Sequence, residues 1–171
     1  AVVKGRPHLR VENRVLPAGP SVADVVANGA FYYGVVRMLA EDERPVWTRM
    51  SFAAAEDNLH RAARDGLDST LYWPGLSKGT ASERSLRRLL PRAYERLQRW
   101  GGDPARRARL LGIIERRCVT GQTGAAWQIA TVDAIEESSG SPRHDALRMM
   151  TRSYVHHMRR NEPVHTWPIG P

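Results

Sequence analysis

One segment of this chain alternates like a β-strand, and almost everything after it is patterned for helix. In residues 8 to 16, Leu9, Val11 and Val15 share one face with Asn13 between them, and Arg10, Glu12, Arg14 and Leu16 share the other. Pro17, Gly19 and Pro20 end the segment. A lone strand cannot satisfy its own backbone donors and acceptors, so it requires a sheet. The chain offers one weak second strand, around Leu71 to Trp73. The expectation is a mainly α piece with one or two strands, whose sheet lies mostly outside these 171 residues. The chain opens at Ala1 and runs almost at once into the strand, as if cut from something longer.

Helix starts and stops are well marked from residue 21 onward. Ser21 with Asp24 has capping-box spacing and opens a helix predicted to end near Glu43, before Pro45. Its apolar stripe is read as Val22, Val25, Gly29, Tyr32, Val36 and Leu39, widened by Val26, Ala30 and Tyr33, so this helix is expected to be largely buried. A second helix runs from Ser51 to about Asp65, stopped by Gly66. Thr80 and Glu83 form a full capping box. The helix that follows turns Leu86, Leu89 or Leu90, Ala93, Leu97 and Trp100 inward and Arg84, Arg88, Arg92 and Arg99 outward, with a kink expected at Pro91. Asp103-Pro104 opens a helix carrying Leu110, Leu111, Ile113, Ile114 and Cys118. The next carries Trp127, Ala130, Thr131 and Ala134, and the last, from Ser141-Pro142, carries Leu147, Met150, Tyr154 and Met158. Tyr32, Tyr33, Trp100, Trp127 and Tyr154 fall in these stripes and read as core.

Composition narrows the class. A chain of this length fits a single segment, residues 1–171, with 1–20 as strand and turn and 21–171 as the helical part. No run of about 18 uncharged apolar residues occurs, so no membrane helix is expected, and the N-terminus lacks the pattern of a signal peptide. The lone Cys118 forbids an internal disulfide and, with no other thiol, a thiolate metal cluster is not expected; it completes an apolar face and reads as a small buried hydrophobe. A cytoplasmic location follows as the default. Adjacent His156 and His157 lie about 100° apart on a helix and suit a shared metal poorly.

The net charge is +8, from 26 Lys plus Arg against 18 Asp plus Glu, and only Lys4 and Lys78 are lysines. Such an excess can attract nucleic acid. A recognition surface would gather arginines on one face with few acids among them. Here the arginines are scattered and acids are interleaved, so the excess reads as solvated helix faces and no nucleic-acid partner is expected. A basic helical nucleic-acid-binding module and a non-catalytic scaffold are the competing readings.

The sharpest local feature is Glu12-Asn13-Arg14. Two residues apart on a strand, a carboxylate and a guanidinium project side by side next to Arg10. They could hold a divalent cation and an oxyanion. They could equally be a cross-strand ion pair on a solvated sheet face, and spacing alone favours that second reading.

Resemblance adds to this. Residues 9 to 20, Leu-Arg-Val-Glu-Asn-Arg-Val-Leu-Pro-Ala-Gly-Pro, resemble the Glu-x-Arg strand and Gly/Pro turn of the glutamate–cysteine ligase superfamily. Residues 55 to 68, Ala-Glu-Asp-Asn-Leu-His-Arg-Ala-Ala-Arg-Asp-Gly-Leu-Asp, are similar to a segment of its bacterial carboxylate–amine ligase branch, with Asp57 where that branch has Glu. The tail Asn161-Glu-Pro-Val-His-Thr-Trp-Pro168 resembles the C-terminal end of actinobacterial-type members. The resemblance covers most of this chain and roughly the last third of such a ligase, so it implies the C-terminal part of an α+β ligase fold whose antiparallel sheet is mostly missing here.

The resemblance implies that ATP phosphorylates a carboxylate and an amine attacks the acyl phosphate. Glu12 would then ligate Mg2+ and Arg14 would be catalytic, contacting the phosphoryl in transit. Asn58 and Arg64 would line the ATP site, with Arg64 facing the same cavity as the Glu12–Arg14 strand. The remaining metal ligands of such ligases lie on N-terminal strands, so the partners implied are that N-terminal part and small amino-acid substrates. The isolated chain is expected to be inactive. Gly121-Gln-Thr-Gly124 is too short a pattern for a phosphate loop.

Overall fold

The computed structural model describes residues 2–7, 19–75 and 79–170. The alternating segment 8–16, with Glu12 and Arg14, lies outside the described residues, as does Lys78.

The described chain is mainly helical, 73% helix against 4% strand. It opens with a two-residue hairpin, β1 (Val2–Val3) against β2 (Arg6–Pro7). Lys4 and Gly5 turn the corner at φ 50° and 75°, the pair of positive dihedrals that matches strand twist in a tight hairpin. Helix α1 (Val22–Ala40) follows, then α2 (Phe52–Asp65) and β3 (Thr70–Leu71), which pairs antiparallel with β4 (Gly79–Thr80). Next come α3 (Ala81–Arg84), a π turn (Ser85–Leu89), α4 (Leu90–Arg99), α5 (Pro104–Thr120), α6 (Gly124–Ser139) and α7 (Arg143–Arg159). A single 3-10 turn, Val164–Thr166, lies in the tail.

The caps act where local chemistry puts them. Ser21, Ser51, Thr80, Asp103 and Thr123 each accept a backbone N–H of the first turn that has no partner within its own helix. Thr80 and Glu83 complete the capping box. Gly121 and Gly140 close α5 and α6 in the left-handed region, where a Cβ would be strained.

Which face of α1 is buried differs from the expectation. Val22, Val25, Val26, Tyr33 and Val36 are exposed, and the helix ends at Ala40. The buried stripe is one residue over: Ala23, Ala27, Gly34 and Met38, with Phe31 packed among them. Steric fit decides it. A Cβ on Gly34 would lie 2.7 Å from the Cβ of Ala93 and 2.9 Å from its Cα and carbonyl oxygen, so α1 and α4 cross almost backbone to backbone. Valines could not approach that closely.

The π turn sits where a kink was expected. Pro91 lacks the N–H that would reach Arg87 and its ring crowds that carbonyl. The preceding turn widens, with Leu90 N–H donating to Ser85 O, and the distortion is absorbed there.

Two apolar clusters form. One joins α1, α4 and α5 through Ala23, Ala27, Leu90, Leu111, Ile113 and Ile114. The other joins α6, α7 and the tail through Trp127, Val132, Ile135, Met150, Val164 and Trp167. Trp127 and Tyr154 belong to this core as expected, whereas Trp100, Tyr33, Leu147 and Met158 are exposed. Trp100 instead lies beneath the Arg37 guanidinium, 5.5 Å from its ring centre.

The arginines are not uniformly solvated either. Arg84, expected outward, is buried and donates to Gly79 O at 3.1 Å. Arg107 is buried over the Tyr94 ring at 4.7 Å and donates to Gly102 O. Each has a carbonyl within reach, which is what permits a guanidinium to leave water.

Candidate functional site

The segment that carries Asn58 and Arg64 is α2 with the turn behind it. Asn58 bonds the backbone of Tyr72 on both sides. Its Nδ2–H donates to Tyr72 O at 2.7 Å, and Tyr72 N–H donates to Asn58 Oδ1 at 2.8 Å. The amide thus does what a neighbouring strand would do, and it holds the chain at the exit of β3. Tyr72 Oη–H in turn donates to the carbonyl of Arg49 at 3.3 Å. Asn58 in this arrangement positions a loop. Arg64 makes a forked contact with the adjacent Asp65, at 2.8 and 2.9 Å, and its side chain is 73% exposed. That contact raises the Arg64 pKa and lowers the Asp65 pKa.

The loop fixed by Asn58 continues through Trp73, Pro74 and Gly75. It forms one wall of a cavity of about 200 Å3, closed by the last turn of α1, the segment around Val46, and the π turn with the start of α4. Arg49, Arg88 and Arg92 line it, with Asp42 as the one carboxylate among the described residues. Arg49 is committed in part: its Nη2 donates to Asp42 Oδ2 at 2.6 Å and to Arg44 O at 2.8 Å. The Arg44 backbone N–H and the Arg49 guanidinium both hold Asp42 below the ordinary carboxylate range. The Nε of Arg49 is shielded from solvent and, among the described residues, has no hydrogen-bond partner. A larger groove, about 500 Å3, runs along Arg152, Val155, His156 and Arg159, but a single helix builds it and it is open to solvent.

A second polar assembly ties the tail to the N-terminus of α1. Asp24 is fully buried. Its Oδ2 accepts from Ser21 Oγ–H at 2.8 Å and from Val164 N–H at 3.0 Å, and Arg117 Nη2 stands 3.2 Å from its Oδ1. Burial lowers the Arg117 pKa, and the Asp24 carboxylate opposes that shift. Asn161 Oδ1 accepts the N–H of Ala23, and Gln122 Nε2 donates to both Val164 O and Trp167 O. His157 stacks on Trp167 with ring centres 5.1 Å apart and bonds Glu162 at 3.0 Å. The tail residues of the sequence resemblance are thus a strap bound to three helices. Of the strap groups that meet α1, Asn161 Oδ1 accepts a first-turn N–H as an N-terminal cap does, while Val164 N–H donates to the Asp24 carboxylate, which sits in the first turn where negative charge is favoured.

Sequence reading singled out Asn58 and Arg64 and placed Arg88 and Arg92 on a solvated face. It missed their convergence with Arg49, because the three arginines come from separate elements. Among the described residues no three of His, Cys, Asp and Glu gather to hold a metal ion, and no helix is long and apolar enough to cross a membrane. No protein-family model, no curated protein and no solved structure matches this chain.

Proposed function

We propose that this chain is the C-terminal helical part of an ATP-dependent carboxylate–amine ligase of the glutamate–cysteine ligase type. One observation carries the reading: Asn58, on a segment that resembles such ligases, fastens the loop that walls an arginine-lined cavity. Such ligases handle ATP, a carboxylate and an acyl phosphate, all anionic, and cationic side chains stabilise charge that gathers on a phosphoryl in transit. In this reading Glu12 holds Mg2+ and Arg14 meets the phosphoryl group. Mg2+ and ATP supply phosphoryl-transfer chemistry. Arg64 stands at the edge of the nucleotide site and Asn58 positions a wall.

The test uses the full-length protein as its gene encodes it. Phosphate release is followed with ATP, Mg2+, glutamate and a series of amines. Arg14→Ala should lower turnover roughly 10²- to 10³-fold, the usual loss when one preorganised donor is removed. Glu12→Gln should weaken the Mg2+ dependence, because a neutral amide is a poorer ligand for a hard cation. Near-native turnover in Arg14→Ala would reduce the Glu-x-Arg pair to a surface ion pair, contributing about 0–1 kcal/mol.

A further inference from the structure

We infer that the cavity between α1, the Trp73–Gly75 loop and the π turn is a binding site for a small, phosphate-sized oxyanion, held by Arg88 and Arg92 with Arg49 behind them. None of these residues carries the ligase resemblance, and the inference stands whether or not ligase chemistry is found.

Charge is the first argument. Among the described residues three guanidiniums line the cavity, and Asp42 neutralises one of them, Arg49. Among the described residues neither Arg88 nor Arg92 has an ion-pair or hydrogen-bond partner. They stand four residues apart across the π turn and line the same space. The final turn of α1 also borders the cavity, through Met38 and Leu39, and brings partial negative charge. That is about half an elementary charge at most, against two unneutralised guanidiniums. The balance favours an anion.

Size and construction give the class. Drug-sized ligands occupy pockets of about 300–1,000 Å3. This cavity, at about 200 Å3, is too small for a whole nucleotide and suits a phosphate or pyrophosphate group. The planar fork of Arg matches the oxygens of such a group. Two features make the site a built one. The π turn carries Arg88 and Leu89 into the wall, and such turns concentrate at functional positions. The opposite wall is pinned by the paired Asn58–Tyr72 bonds and turns at Gly75, whose φ of +74° favours glycine. Arg49 adds a shielded Nε with no hydrogen-bond partner among the described residues.

The anion could be free or the phosphate end of a nucleotide whose remainder stays outside, and the experiment separates these. Inorganic phosphate, pyrophosphate and ATP are titrated by calorimetry into the chain and into Arg88→Gln, Arg92→Gln and the double variant. The expected result is saturable pyrophosphate binding tighter than about 1 mM, weakened at least tenfold in the double variant and by added salt. Both side chains are exposed, so the melting temperature without ligand should not change. ATP binding more tightly than pyrophosphate, with the same sensitivity to the double variant, assigns the site to a nucleotide's phosphates. Pyrophosphate binding at least as tightly as ATP assigns it to the free anion. Absence of saturation with phosphate and pyrophosphate, or binding that is unchanged in the double variant, overturns the inference.

Discussion

The guanidinium of Arg117 stands 3.2 Å from a carboxylate, Asp24, that is wholly withdrawn from solvent. Burying either ion alone is costly, and their mutual attraction offsets the cost only while both are present. Asp24→Asn should therefore destabilise the chain by about 3 kcal/mol or more, by leaving Arg117 without its counter-charge. Arg117→Met should also be destabilising, and the double variant should lose less than the two single losses added together. Urea denaturation of the four proteins measures this. Additive losses would mean that the pair is not coupled.

His165 makes the tail sensitive to acid. Burial holds its imidazole below the ordinary value; Arg117 and Arg116 push the same way, and Asp24 opposes them. In the unfolded chain the ring takes up a proton at about pH 6.5, while the folded ring resists it. The stability this ring contributes is fully present above about pH 6.5 and is lost as pH falls through the lower folded value. Glu162, held low by His157 and Arg160, adds a loss that begins only near its ordinary value of 4.5. Denaturation midpoints taken between about pH 7.5 and 5 should fall in the native chain and fall less in His165→Gln.

Gly34→Ala should destabilise the chain by about 1–3 kcal/mol, the usual range for overpacking. The new methyl would meet the backbone of Ala93 as well as its side chain, and backbone cannot swing away. Ala93→Gly, combined with it, should recover part of the loss. Thermal melts of the single and double variants decide the matter, and a neutral Gly34→Ala would contradict the close crossing.

Asn58→Ala should act locally. Each of its two bonds to Tyr72 contributes about 0.5–1.5 kcal/mol at most, and less here because both are exposed. Global stability should change little. Amide exchange should accelerate at Tyr72, Trp73 and Gly75, and pyrophosphate binding should weaken with it. Unchanged exchange at Tyr72 would show that the loop is held by something else.

What could be read from sequence divides by range. Ser21, Ser51, Thr80 with Glu83, Asp103 and the stop at Gly66 were legible because a cap is chemistry between a side chain and the backbone of its own turn. The buried face of α1 was not. Two stripes one residue apart both had helical period, and the valine stripe was the more apolar. The choice fell to the smaller residues because of Ala93, about sixty positions away, which periodicity cannot see. Arg117 misleads for the same reason, its partner Asp24 lying on a distant helix, whereas Arg84 and Arg107 turn back to carbonyls just five residues before them, Gly79 and Gly102, which a helical period does not reveal. At the candidate site Asn58 was singled out from sequence, as a residue lining an ATP site. Its partner Tyr72 and the meeting of Arg49, Arg88 and Arg92 were not, because loop closure and chain crossing bring them together. The Glu12–Arg14 pair lies outside the described residues.

The bond from Val164 to Asp24 spans 140 residues. A ribosome makes α1 long before it makes the strap. Until residue 164 has left the exit tunnel, Asp24 lacks the backbone donor of Val164 and Ala23 lacks the acceptor on Asn161. A nascent chain would thus carry an α1 that can already pack on α4 and α5 but whose first turn still lacks its partners from the tail. Closing so wide a loop is slow relative to forming the helices themselves. The helices can form early, but the start of α1 remains open to solvent, chaperones and proteases until nearly all of the described chain has been synthesised.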